Sequence, residues 1–251
     1  MLDLLVLVVA AFLPSVLYVI WIRNTEKYVR EPYSRILRVF VFGAIVSIAI
    51  AIVIESVALN LIQTSLERVY QAFAQNPNLV TLLLAVVIAP LVEEFAKALG
   101  VFQVRGRMRD IEDGLIYGAV AGLGFAATEN LLYESDALLT GGTQAFLATA
   151  VVRTFSSALL HSSASAVVGL GIARSAWQGK SWLPYYFVGV IMHASFNLAA
   201  SFGSLYENSL GASAVLIGLM AAFAIAIIGI TLVRAKIRAL DQPVGLRGGM
   251  A

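Results

Sequence analysis

Seven runs of mostly apolar residues, each about 20 or more long, dominate this chain: 3–22, 37–61, 79–103, 113–133, 144–173, 183–202 and 211–233. A helix needs roughly 20 such residues to cross about 30 Å of hydrocarbon. Lipid offers no water to satisfy backbone N–H and C=O groups, so runs of this length close their own hydrogen bonds as helices. The alternating apolar and polar pattern of an outer-membrane barrel strand is absent. Composition agrees: 60% of the residues are hydrophobic and 13% charged, against about 45–50% and about 25% in soluble domains. The expectation is an all-α, polytopic membrane helical bundle of about seven transmembrane helices. Residues 1–240 are expected to form a single transmembrane helical domain. Residues 241–251, with Pro243, Gly245, Gly248 and Gly249, are expected to be a flexible cytoplasmic tail.

The basic residues orient the bundle. Arg23, Lys27, Arg30, Arg35 and Arg38 follow the first run, and Arg105, Arg107 and Arg109 follow the third. Arg174 and Lys180 follow the fifth, and Arg234, Lys236, Arg238 and Arg247 follow the seventh. Only Arg68 falls on the opposite side, in the longest external loop, 62–78. The positive-inside bias then places the N-terminus outside and the C-terminus in the cytoplasm. The start, Met1-Leu2-Asp3, lacks the positive region of a secretory signal, and the run is too long for one, so it reads as a helix. A net charge of +2 is no argument for a nucleic-acid partner, and the absence of cysteine excludes disulfide staples and thiolate chemistry.

Ionisable groups at mid-depth cost about 2.5–3.5 kcal/mol each on insertion scales, so each one in a run is a functional suspect. They are Glu55, Glu93, Glu94, Lys97, Glu129, Arg153, His161 and His193, and both histidines of the chain are among them. In the third run Pro90 frees a carbonyl one turn earlier. Glu93 and Lys97, four apart, suit an ion pair, which leaves Glu94 open as a second base, a ligand or a partner for Arg153. In the fourth run Gly114, Gly118 and Gly122 make a face that lets another helix approach closely, followed by Glu129-Asn130. Arg153, Ser157, His161 and Ser165 form one stripe on the fifth run, with Arg153 placed to neutralise Glu94 or Glu129. His193 and Asn197 share a face of the sixth. Glu55 reads as a packing or interfacial carboxylate apart from this group. Counting Glu93, Glu94 and Glu129 against Lys97 and Arg153 leaves one negative charge, which a divalent cation or a protonated carboxyl would balance. Two histidines and one or more glutamates on facing helices are reasonable ligands for Zn²⁺ with an open position for water. Metal-independent chemistry stays open.

These motifs resemble the PrsW family of intramembrane proteases, a branch of the CaaX-protease and bacteriocin-processing superfamily. The resemblance rests on Glu93-Glu94-Phe95-Ala96-Lys97, on Asp113-Gly114-Leu115-Ile116-Tyr117-Gly118 running on to Glu129-Asn130, on His161, and on His193 with Asn197. It covers residues 79–202, the expected catalytic core. It implies hydrolysis of peptide bonds in membrane-anchored proteins, typically anti-sigma factors cut on their extracytoplasmic side, in a prokaryotic plasma membrane. It also implies that Glu93 activates water, that His193 and Asn197 make metal or oxyanion contacts, and that Glu94 belongs to the catalytic set. Glu129, His161 and His193 are the expected metal ligands, with Lys97, Asn130 and Arg153 in support. Glu129 departs from the prenyl-protease branch, which has His at that place. The alternative reading is a proton- or ion-coupled transporter using the same buried cluster, although no inverted repeat is visible. HExxH, GxGD and GxSG signatures are absent, and the last run lacks the lysine a retinal protein needs. Oligomeric state is not legible.

Overall fold

A computed structural model describes residues 2–66, 71, 75 and 77–242; Arg68, Arg247 and the tail from Pro243 onward lie outside the described residues. The described chain is all helical. Helix α1 is Leu2–Arg23, and α2 (Tyr33–Val41) continues through a π-helical turn, Phe42–Ser47, into α3 (Ile48–Leu61). Helix α4 (Pro77–Leu82) runs through a second such turn, Leu83–Ile88, into α5 (Ala89–Phe102). Then follow α6 (Glu112–Phe155), α7 (Ser157–Gln178), α8 (Leu183–Ala200), α9 (Phe202–Leu210) and α10 (Ala212–Leu240).

Among the described residues six segments are long and apolar enough to cross a membrane: Leu4–Arg23, Tyr33–Ser65, Asn78–Arg107, Glu112–Gln178, Leu183–Leu210 and Ala212–Leu240. The expected runs 113–133 and 144–173 are both contained in Glu112–Gln178, which accounts for six segments where the sequence shows seven runs. The first arm of α6 does not end where its apolar run ends. It continues through Glu134, Ser135 and Asp136 to Gly142, whose backbone (φ 72°, ψ −167°) is a conformation essentially confined to glycine. The segment folds back there. Gly114 meets Gly169, Gly118 meets Ser165, Gly122 meets His161, and Asn130 meets Arg153, an antiparallel register centred on Gly141–Gly142.

This hairpin is the middle of the molecule. It is buried over 113–127 and 156–166 and half-buried to exposed around the Gly142 turn, while the other spans keep most of their residues unburied, as lipid-facing helices would. The glycine face permits backbone-to-backbone approach: a Cβ on Gly118 would run into the Ser165 carbonyl, and one on Gly122 into that of His161. Close approach therefore places His161 against the first arm. Gly118→Val should destabilise the protein by about 1–3 kcal/mol or more, because the atom it meets is backbone and cannot swing away; thermal unfolding in detergent measures this.

The basic segments gather at one end. Arg35 donates to the Arg107 carbonyl (2.9 Å), Arg105 to that of Ser175 (3.2 Å), and Arg234 Nε to Thr25 Oγ1 (3.1 Å). The Lys27 N–H donates to Asp241 Oδ2 at 2.6 Å, so the first residue of the expected tail is pinned to the loop after α1. In that loop burial, with the Asp113 charge next, pushes the Glu26 carboxyl up to about 8.

Candidate active site

Four elements bring polar side chains to one place: α5 (Glu93, Glu94, Lys97), the first arm of α6 (Glu129, Asn130), α7 (His161, Ser165) and α8 (His193, Asn197). Lys97 is at the centre and fully buried. Its ammonium has three N–H groups and spends each on a partner: Glu93 Oε2 (3.1 Å), Glu94 Oε1 (2.9 Å) and His161 Nδ1 (2.8 Å). It also lies 4.2 Å from the centre of the Phe125 ring. One cation thus serves two adjacent carboxylates, and the Glu93–Lys97 pair extends to Glu94.

Each imidazole is held from behind by a carboxylate. His161 Nε2 donates to Glu129 Oε2 at 2.8 Å, and His193 Nδ1 to Glu94 Oε1 at 3.1 Å. These bonds assign the tautomers and turn the remaining nitrogens inward. His161 Nδ1 lies 3.8 Å, and His193 Nε2 3.9 Å, from Glu93 Oε2. Carboxylate–histidine pairs of this kind orient metal ligands and raise their basicity. Arg153 neutralises Glu129 (2.6 Å), and its Nε donates to Asn130 Oδ1 (2.7 Å). Of the two partners open to Arg153, the fold selects Glu129. Glu94 is saturated, since its Oε2 also accepts the Ser165 hydroxyl at 2.8 Å.

Glu93, His161 and His193 form a buried group able to hold a metal ion, with one ligand atom from each within 4.8 Å of the others. The donor set fits. Two imidazole nitrogens and a carboxylate suit zinc, and the two spacings from Glu93 are about half an ångström wider than the edge of a tetrahedral site with ~2.0–2.1 Å bonds. The Lys97 ammonium rests on two of the same acceptor atoms, so an ion entering would require Nζ to withdraw from them, with Glu94 still in reach. Glu129, expected from the sequence to be a ligand, stands one bond farther out behind His161.

A cavity of about 520 Å³ opens beside this group, lined among others by Glu93, Glu129, Arg153, His161 and Asn197. Glu94, Lys97 and His193 are not on its wall. Asn197 also bonds within the cavity wall, where its Nδ2 donates to the Ala85 carbonyl at 2.7 Å. In the π-helical turn the N–H of Ala89 bonds to Leu84 O, five residues back. The next bond of that register would run from residue 90 to Ala85, and Pro90 has no N–H to give. Asn197 supplies the missing donor and so ties α8 to the turn before the glutamate pair. Among the lining residues that the sequence does not single out for the site, two carry ionisable groups. Glu55 shares the cavity, with its Oε1 lacking a hydrogen-bond partner among the described residues. Tyr133, also on the wall, stacks under the Arg153 guanidinium at 3.9 Å. Glu55 carries the same signal as the others, an ionisable group in an apolar run, but its distance in sequence hides the proximity.

Fold and site together describe a multi-pass helical membrane protein with a buried carboxylate–imidazole centre bordering a cavity. The family model for PrsW family intramembrane metalloproteases matches residues 31–233, and the chain belongs to that family. Protease PrsW of Clostridioides difficile (strain 630) is 27% identical over 198 residues, 76% of this chain and 74% of that protein. Protease PrsW of Geobacillus kaustophilus (strain HTA426) is 28% identical over 196 residues, 73% of this chain and 77% of that one. No solved structure matches. The protein is therefore a peptidase of the membrane, acting on protein substrates, and the protease reading prevails over the transporter.

Proposed function

We propose that the protein hydrolyses peptide bonds of membrane-anchored proteins, anti-sigma factors being the expected class, with water activated by Glu93. The observation that carries this reading is the position of Glu93. It is the member of the glutamate pair that lines the cavity, and it faces the inner nitrogens of both histidines. A carboxylate there can take a proton from water as the water attacks a substrate carbonyl. Glu94, behind the wall, acts as a positioning residue that holds His193 and Lys97. His193, its N–H committed to Glu94, offers Nε2 as a ligand nitrogen, and Asn197, on the cavity wall, holds α8 in place beside the position of the substrate carbonyl. Arg153, Asn130 and Glu129 fix the His161 ring.

Glu93, His161 and His193 would hold the metal, which we take to be Zn²⁺. When bound, it supplies Lewis-acid polarisation and a more acidic water. Purified protein is expected to carry about one zinc per chain by elemental analysis. An active preparation free of metal would assign the chemistry to the glutamate alone.

The end that gathers the basic segments is the cytoplasmic one in this reading, which places the N-terminus outside and makes residues 1–240 one domain with a short cytoplasmic tail. Support comes from the positive-inside bias and from the contacts that join all four basic segments. The direct test compares membrane-protein fragments in cells carrying the wild type and His193→Ala. Truncated single-span proteins should accumulate only with the wild type, and identical fragment sets would overturn the reading.

A further inference from the structure

The glycines of the motif running from Asp113 to Gly118 set the hairpin register, but its two polar side chains take no part in the site above. Asp113 and Tyr117 stand instead at the end of the molecule where the basic segments gather. Glu31 is satisfied there by Arg109 (2.7 Å), by Arg35 (3.4 Å) and by the Tyr117 hydroxyl. Beside it lies a second group of carboxylates, Glu26, Glu112 and Asp113. All three are at most 2% exposed, and one oxygen of each lies within 4.8 Å of the others.

The donors around this group are only partly matched to it. Asp113 Oδ2 accepts the N–H groups of Arg109 (2.5 Å) and Asp110 (3.3 Å), which ties the loop before α6 to its first turn. Glu26 Oε2 accepts the N–H of Glu31 at 3.0 Å. Glu26 Oε1 is buried with no hydrogen-bond partner among the described residues. Leaving a buried acceptor unmatched is costly, and more so for a charged one. A proton answers this on Glu26, whose carboxyl is pushed up by burial; for the three neighbouring carboxyl groups together, a shared cation answers it in the proton's place.

We propose that Glu26, Glu112 and Asp113 form a second cation site, taking a hard divalent ion of the Mg²⁺ or Ca²⁺ class and clamping the loop after α1 to the start of α6. The donor chemistry separates it from the active site. All its donors are carboxylate oxygens, the set that Mg²⁺ and Ca²⁺ prefer, whereas the Glu93 group offers the imidazole nitrogens that suit zinc. The clamp would fix the end of the hairpin whose other residues carry Glu129 and His161, so its role is structural or regulatory and independent of the hydrolytic reading.

The test uses the full chain, purified in detergent and stripped with a chelator. MgCl₂ and CaCl₂ are titrated in separate arms against NaCl of matched ionic strength, with thermal unfolding as the readout. The expected result is a saturable rise in Tm of about 2–4 °C or more with at least one of the two ions. That rise should persist in Glu93→Gln and vanish in Glu26→Gln. In chelator, Glu26→Gln should unfold no earlier than the wild type, since the amide replaces a carboxyl already pushed toward its neutral form and its oxygen still accepts from Glu31. Should Glu26→Gln fail to fold, Asp113→Asn carries the same comparison, because its amide oxygen can still cap the N–H groups of Arg109 and Asp110. A wild type that responds to neither ion, a rise undiminished in the variant at this cluster, or a rise lost in Glu93→Gln would each overturn the proposal.

Discussion

Glu93→Gln is expected to lower cleavage of a co-reconstituted single-span substrate by about 10²–10⁴-fold, the usual worth of a positioned general base. The change removes the proton acceptor and, with it, the carboxylate of the proposed metal-holding group. Gln has the volume of Glu, and its amide oxygen can still accept from Lys97, which retains Glu94 and His161. One buried negative charge disappears beside a cation that serves two, so the folded state should not suffer. Thermal unfolding in detergent should therefore match the wild type while activity is lost. Full residual cleavage would move the base elsewhere, and Glu55 is then the carboxylate to test, because it lines the same cavity with a free oxygen.

Lys97→Met should have the largest effect on stability. The ammonium is fully buried and is the only cation in contact with Glu93 and Glu94 among the described residues. Removing one partner of a buried ion pair costs about 3–5 kcal/mol, because the remaining charge stays desolvated and uncompensated. Two consequences separate this cause from a simple packing loss. Adding Glu94→Gln should restore part of the stability, since it deletes one of the two charges left behind. Zn²⁺ should also stabilise Lys97→Met more than the wild type, because His161 Nδ1 and Glu93 Oε2 no longer hold the ammonium. Unfolding curves with and without zinc, for the single and double variants, read both effects. A metal-free Lys97→Met protein as stable as the wild type would show that the carboxylates in the folded protein do not need this cation.

The polar residues of the site are legible in the sequence because the bilayer makes each one conspicuous. Glu93, Glu94, Lys97, Glu129, Arg153, His161 and His193 all stand out as exceptions in apolar runs, and all meet in the fold. Their division of labour is not legible. Neighbours in sequence, Glu93 and Glu94 differ in that one reaches the cavity wall and the other lies behind it, which depends on how α5 is rotated against α7 and α8. Asn197 is conspicuous as the partner of His193 on one helix face; its bond to Ala85 arises from a backbone register that only the π-helical turn before Pro90 creates. Glu55 is set apart by sequence distance and returned by packing.

The hairpin shows the same division. Glu134 and Asp136 interrupt the apolar pattern, so the hydropathy of the run ends there, yet the helix continues to Gly142 because its backbone bonds are indifferent to that change. By itself the sequence determined that the chain lies in a membrane, that its spans are helices, and which side chains must be explained by chemistry. Those conclusions follow from transfer energies, which are properties of single residues and short runs. Tertiary structure alone decided that Lys97 is shared by two glutamates and His161, that Arg153 belongs to Glu129, and that each histidine turns one nitrogen toward Glu93. Those are relations between atoms of different helices, fixed by helix rotation and close approach at glycine, and no local pattern encodes them.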